Sequence, residues 1–239
     1  MCGRYVRGQK DLFYVEPLMS DANDPRLQGW HGQGDLFRPS WNVSPGTRQP
    51  VITPDGPRLE IWGFRPAWAV ARKVPMLINA RLDKASSSAW KSMFTRGRVL
   101  IPADGWYEWL PEGGKRQPFF IHSKDGPPIY FAGLISPKPV PKHPGPDARA
   151  PEPTGTVFGY VLVTAPAESG MLDVHDRRPL VLTLEEARTW LDPETTFDEA
   201  LHLANNAGKS SDDFAWYKVT QQVNRSGSDS PTFVEPLEP

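Results

Sequence analysis

Only one of the 239 residues is a cysteine, and it stands second in the chain. One thiol allows neither an internal disulfide nor a multi-Cys zinc site, so no covalent or metal staple of that kind helps the fold. Hydrophobic residues at 38% and charged residues at 23% are enough to build and solvate a packed core. A lone cysteine also fits a reducing compartment. No apolar run nears the roughly 20 residues a membrane span needs, and the N-terminus lacks the apolar stretch of a signal peptide. The expectation is a cytoplasmic protein with no membrane partner.

The pattern along the chain is of short strands broken by turns. Asp11 to Met19 reads as a short amphipathic helix, followed by a polar loop to about Trp41. Arg58 to Phe64 alternates like a strand, and Val74 to Ile78 is a short apolar run. Asp83 to Phe94 has helical spacing, with Trp90 and Phe94 four apart on one face. Arg98 to Ile101 and Gly105 to Trp109 read as strands around a Pro-Ala-Asp turn. Gln117 to His122 and Ile129 to Ile135 are expected to pair as a hairpin over Lys124-Asp125-Gly126, since Asp-Gly favours the tight turn. Val157 to Thr164 and Leu180 to Leu182 are further strands. Thr183-Leu-Glu-Glu186 is a capping-box start for a helix ending near Leu191. With no regular βαβ alternation, the class is α+β: a single domain over 1–223, with a strand-rich mixed sheet or barrel-like core and short flanking helices. The Pro-dense stretch 136–155 reads as a flexible surface insertion, and 224–239 as a loosely ordered C-terminal tail.

Cys2 directly follows the initiator methionine and is small enough for methionine aminopeptidase to release Met1. One residue would then carry an α-amine and a thiol on adjacent carbons. Such an aminothiol condenses with an aldehyde to a Schiff base, and the thiol closes onto the imine carbon to give a thiazolidine. An α-amine with a reference pKa of roughly 8 is partly unprotonated at neutral pH. Position alone leaves the competing reading open, an inert buried cysteine near a terminus. Net charge is −1, but it is unevenly spread. From Arg65 to Arg98 there are eight basic side chains against one acid, Asp83; from Glu185 onward there are eleven acids against four bases. This asymmetry fits a basic face for a polyanion, or a scatter of solvated charges.

Four segments combine reactive or hydrogen-bonding groups with Gly, Pro or Trp: Met1-Cys-Gly-Arg-Tyr5, Ile78-Asn79-Ala80-Arg81, Ala103-Asp104-Gly105-Trp106-Tyr107-Glu108-Trp109 and Val174-His175-Asp176-Arg177-Arg178-Pro179. Taken singly, each has an ordinary reading. Asn79 can cap a loop, Glu108 can be a solvated strand residue or the ion partner of Arg81, and His175 can be a turn histidine.

Together with Trp41-Asn42-Val43-Ser44-Pro45-Gly46, Trp62-Gly63-Phe64-Arg65-Pro66-Ala67-Trp68 and Ile101-Pro102-Ala103-Asp104-Gly105, these segments closely resemble the SRAP (SOS response-associated peptidase) family. The resemblance runs from Met1 to about Val223, with 136–155 as the main departure. It implies a sensor of abasic sites in single-stranded DNA that becomes covalently attached to the damaged sugar through Cys2. An open abasic sugar is an aldehyde, so the resemblance and the chemistry of an aminothiol agree. It implies Asn79, Glu108 and His175 as the other active-site residues, and their chemistry suggests the roles: Glu108 to move protons, His175 to bond the sugar hydroxyl, Asn79 to fix the amine or ring oxygen. Arg4, Arg81 and Arg177 are the expected phosphate ligands. Pro45 and Trp68 are expected to stack on or wedge between bases, although Trp68 also reads as core packing. No cofactor or metal is expected, and a monomer is. Two other readings stay open: a cysteine peptidase or N-terminal-nucleophile amidohydrolase with Cys2 as nucleophile, and a non-catalytic single-strand binding module.

Overall fold

The computed structural model describes residues 2–19, 37–136, 154–167, 176–206 and 208–237. The polar loop before Trp41 and the Pro-rich stretch 136–155 fall largely outside these residues, and His175 falls wholly outside them. Among the described residues, thirteen strands form two separate sheets. One has five strands in the order β13(Phe214–Lys218), β8(Lys115–Ser123), β7(Gly105–Glu112), β1(Tyr5–Arg7), β2(Ser40–Val43). The other contains β11(Arg177–Pro179), β10(Tyr160–Pro166), β9(Ile129–Ile135), β6(Arg98–Ala103), β3(Arg48–Thr53) and β4(Gly56–Ile61) in that order. To these β12(Val181–Leu182) adds by pairing with β9, and β5(Asn79–Arg81) by running parallel to β10. The α+β class with a mixed sheet stands. The barrel-like alternative does not, because two distinct sheets pack against each other and no closed barrel forms.

Period-two alternation builds the layers. From β6, Val99, Ile101 and Ala103 point between the sheets, where they meet Tyr5, Val43, Trp106, Ile121 and Phe214 from the five-stranded sheet. Leu100 points the other way, into a core shared with Tyr14, Leu18, Phe94 and Trp190. That outer core packs α2(Lys91–Arg96), α3(Leu184–Leu191) and α4(Phe197–Asn206) onto the larger sheet, while α1(Ala67–Ala71) is a single short helix after Phe64. On the far side of the five-stranded sheet, Val6, Tyr107 and Phe120 pack with Val219, Val223 and Phe233.

The expected 117–122/129–135 hairpin does not form. β8 pairs with β7 and β13, whereas β9 pairs with β6, β10 and β12 in the other sheet. The Asp-Gly signal marks a crossing between sheets rather than a tight hairpin. The tight hairpin joins β7 to β8 over Gly113-Gly114, whose φ values of 56° and 76° suit the left-handed turn that matches strand twist. The chain switches sheets again between β6 and β7 at Asp104, whose carboxylate accepts from Gly8 N at 2.6 Å and the Tyr14 hydroxyl at 2.7 Å. Two expected helices also differ: 11–19 is a pair of 3₁₀ turns, Asp11–Tyr14 and Glu16–Leu18, and the 83–94 segment is α-helical only from Lys91, in a helix that runs on to Arg96. Thr183 makes its capping box with Glu186, as expected.

The segment after Val223 differs from the loose tail that its polar composition predicts. Through Leu237 it docks on the five-stranded sheet, with Phe233 buried and Leu237 N donating to Lys218 O at 2.9 Å. Polar residues supply this docking with hydrogen bonds that a hydropathy pattern does not register.

Candidate active site

The N-terminal residues lie along the strand that carries Glu108. β1 runs antiparallel to β7 with Tyr5 opposite Trp106, and Tyr107 N donates to Arg4 O at 3.0 Å. Continuing that register brings Gly3 and Cys2 alongside Glu108. Cys2 is fully buried and its Sγ donates to Arg4 O at 3.6 Å. Burial first, and the neighbouring Glu108 carboxylate second, push its thiol well above the ordinary range, so the thiol is protonated at neutral pH.

Glu108 is 3% exposed on β7, on the same inward face as Trp106. Its pKa is raised to about 7, chiefly by burial; the positive charge at the amino terminus pulls it back, and Asp176 adds to the rise. The two ordinary readings of Glu108 therefore fail: it is not solvated, and Arg81 is paired elsewhere. A carboxyl poised near 7 has both protonation states populated under physiological conditions, the condition for one group to act as base and then as acid.

Asn79 enters from the other sheet. It opens β5, and its Nδ2 donates to Cys2 O at 3.0 Å across 77 residues of sequence. Its Oδ1 is buried with no hydrogen-bond partner among the described residues. Trp62 Nε1 donates to Ile78 O at 3.0 Å and holds the approach to this strand. The site thus sits at the seam of the sheets, with Cys2 and Glu108 from one and Asn79 from the other.

Arg81 and Arg177 flank β10, since Arg81 lies opposite Thr164 in the parallel pair and Arg177 Nη2 donates to Thr164 O at 2.7 Å. Asp83 gathers both arginines: Arg81 donates from Nε at 3.0 Å and Nη2 at 2.7 Å, and Arg177 Nη2 lies 3.6 Å away. This exposed pairing holds the Asp83 carboxyl down to about 2 and raises the Arg81 guanidinium. The lone acid of the basic stretch is thus its organiser, a role that the 65–98 charge count marks only as an exception. Trp68, on α1, is 44% exposed, which excludes core packing. Pro45 sits half-buried in the turn that docks on Trp62, with Gly46 N donating to Trp62 O at 2.8 Å. Arg98 is not a surface charge at all: it is buried and donates to Trp190 O, Phe94 O and Asp192 O, capping helix ends.

Arg4 is oriented differently from the other two arginines. It donates to Asn42 Oδ1 at 3.0 Å, Val223 O at 2.9 Å and Ser226 Oγ at 3.2 Å. Beside it an open groove of about 440 Å³ is lined by Gly3, Arg4, Trp109, Arg116 and Asn224. Sequence reasoning missed Asn42, Asp83 and Asn224 as organisers of the site; Asn42 lay within a quoted motif, and Asp83 was the solitary acid among eight bases. Among the described residues there is no cluster of three or more His, Cys, Asp or Glu able to hold a metal, and no helix long and apolar enough to cross a membrane.

Comparison with known proteins bears on this arrangement. The family model described as SOS response associated peptidase (SRAP) matches residues 1–226. The chain is 34% identical to the abasic site processing protein YedK of Escherichia coli, over 99% of this chain and 100% of that protein. It is 26% identical to the abasic site processing protein HMCES of Xenopus tropicalis, over 84% of this chain and 67% of that protein. Its fold is similar to a crystal structure of a phage-related protein from Bordetella bronchiseptica, with a TM-score of 0.67 and 33% identity over 92% of this chain and 95% of that one. With the family match spanning residues 1–226 and a relative 34% identical across 99% of the sequence, this chain belongs to the SRAP family.

Proposed function

We propose that this protein processes abasic sites in single-stranded DNA, by forming a thiazolidine between Cys2, freed of Met1, and the open-ring aldehyde of the lesion. The observation that carries the reading is the convergence of Cys2, Asn79 and Glu108 at one seam, with a buried carboxyl poised near neutrality beside the N-terminal residue. Removal of Met1 turns the Cys2 nitrogen from an amide into an amine. The Glu108 carboxylate then accepts a proton from the Cys2 ammonium, and the amine nitrogen bonds to the aldehyde carbon to give a carbinolamine. The carbinolamine hydroxyl accepts the proton held by Glu108 and leaves as water, giving an iminium. The Cys2 sulfur bonds to the iminium carbon and its proton passes to Glu108. One water is lost overall, and the net proton released by the Cys2 ammonium ends on Glu108. Asn79, already bonded to the Cys2 carbonyl, offers its open Oδ1 to the amine. His175 bonding the sugar hydroxyl is part of the same proposal.

Arg81 and Arg177 are proposed to hold backbone phosphates, with Trp68 and Pro45 against flanking bases. An affinity made this way falls with salt. The relatives' names support abasic-site processing, and the protonated state of the Cys2 thiol supports amine-first chemistry over peptidase chemistry. A cysteine peptidase needs a ready thiolate, whereas burial here disfavours one.

The test is a denaturing gel of protein mixed with single-stranded DNA carrying one abasic site. Wild type gives a shifted band without reductant, Cys2→Ala gives none while retaining reversible binding, and Cys2→Ser gives a band only when borohydride traps the imine. A reductant-independent band from Cys2→Ser would overturn the thiazolidine.

A further inference from the structure

We infer, as an extension that rests on the cross-linking reading above, that Arg4 positions the reacting pair from behind, together with Asn42 and the C-terminal segment 223–234, and does not hold DNA phosphate. Its guanidinium is engaged on three neutral acceptors, Asn42 Oδ1, Val223 O and Ser226 Oγ. Nη1 spends both of its hydrogens on Asn42 and Val223, and Nη2 spends one on Ser226. Three of the five N–H donors are thus committed, and a phosphate is left only Nε–H and one Nη2 hydrogen. Asn42 is itself saturated: besides accepting from Arg4, its Nδ2 donates to Val223 O at 3.2 Å and Ser228 O at 2.8 Å. The backbone of Arg4 completes the crossing, since its carbonyl accepts both Tyr107 N and the Cys2 thiol.

The same segment grips the Glu108 strand. Strand alternation sends Tyr107 and Trp109 to the face opposite Glu108, and both end on the segment or on its partner strand. Tyr107 donates its hydroxyl to Trp41 O at 2.7 Å, with Phe233 O at 3.4 Å. Trp109 Nε1 donates to Asn224 Oδ1 at 2.6 Å, and Asn224 returns a bond to Arg116 O at 3.2 Å. Trp41 N donates to Asp229 Oδ1 at 2.6 Å. The segment therefore forms a plate behind both strands of the site, setting the spacing between Cys2 on one and Glu108 on the next. Condensation requires the amine, the aldehyde carbon and the proton donor to be in register, and a small loss of alignment there costs rate rather than binding.

The groove beside Arg4 leaves a phosphate approach conceivable, so the experiment must separate positioning from phosphate binding. Arg4→Met and Asn42→Ala, each with Met1 removed and checked for folding by circular dichroism, are compared with wild type in two reactions. The first is single-turnover cross-linking to abasic single-stranded DNA, read as a rate at saturation and a half-saturating concentration at several salt concentrations. The second is ring closure with glycolaldehyde, which has no phosphate. Positioning predicts that both variants lose at least fivefold in the saturated rate and a similar factor with glycolaldehyde, while half-saturation and its salt slope hold. Overturning results are a higher half-saturating concentration, a salt slope shallower by about 0.7 per lost phosphate contact and an unchanged glycolaldehyde rate in Arg4→Met. If Arg4→Met fails to fold, Asn42→Ala decides, since it removes no charge: an unchanged saturated rate there overturns positioning. A wild type that closes no ring with either aldehyde overturns the cross-linking reading itself, and is seen before any variant is compared.

Discussion

At the scale of single residues, Glu108 governs how the site responds to pH. Its folded-state pKa of about 7 stands above an ordinary value of 4.5, so the folded protein holds a proton there that the unfolded chain gives up. Between those values the folded state binds more protons, and stability falls as pH rises through the window. A shift of that size corresponds to about 3 kcal/mol when fully developed. Glu108→Gln removes this component. The difference in unfolding free energy between variant and wild type is predicted to move by about 3 kcal/mol in the variant's favour from pH 4.5 to pH 8, measured by urea denaturation. The same substitution removes the proposed proton carrier, so cross-linking is predicted to slow at least tenfold and to lose its inflection near pH 7. A variant no more stable at pH 8 than at pH 4.5, relative to wild type, would mean that the carboxyl is not held protonated by its surroundings.

At the scale of elements, what the sequence makes legible is local and what it hides is pairing. The capping box at Thr183 needs only residues three apart, and the apolar runs of β6 and β9 need only a window of seven; all three elements are where the sequence places them. The 117–135 hairpin fails because Asp-Gly specifies a turn without specifying a partner, and β9 is taken by β6 in the other sheet. Gly113-Gly114 is the turn that pairs its flanking strands, and its positive φ values favour glycine. Gly114→Ala is predicted to cost about 1 kcal/mol, seen as a lower urea midpoint, with the saturated cross-linking rate unaltered because the turn is remote from Cys2 in the β1–β7 register. Gly105 is a different case: an added Cβ would strike the backbone oxygen of Ile121. Gly105→Ala is predicted to displace β7 and to reduce stability and cross-linking together, so a fully active Gly105→Ala would contradict the packing at this corner. Of the candidate site, Cys2, Asn79 and Glu108 are legible in the sequence through their motifs. Their convergence is not, because a bond between residues 77 apart, such as Asn79 to Cys2, leaves no local trace.

At the scale of the whole molecule, two sheets pack around a shared core with the candidate site at their seam, helices cover one outer face and the C-terminal segment covers the other. The uneven charge along the chain resolves into different roles in three dimensions. Arg98 is spent inside on helix carbonyls, whereas Arg81 and Arg177 flank one strand with Asp83 between them. Two phosphate contacts predict that the logarithm of single-strand affinity falls with the logarithm of salt at a slope of about −1.4. Arg81→Ala and Arg177→Ala should each flatten it by about half, measured by fluorescence anisotropy on undamaged single strands. A slope unchanged in both variants would move the phosphate path elsewhere on the surface.

The most direct measurement is the intact mass of the protein before and after mixing with single-stranded DNA carrying one abasic site, followed by alkylation of any remaining thiol. The prediction is a chain lacking Met1 that gains the oligonucleotide mass less one water, survives denaturation without reductant and no longer takes up the alkylating reagent at Cys2. An adduct that retains an alkylatable Cys2 thiol, or a protein lacking Met1 that gains no mass, would contradict ring closure by the aminothiol.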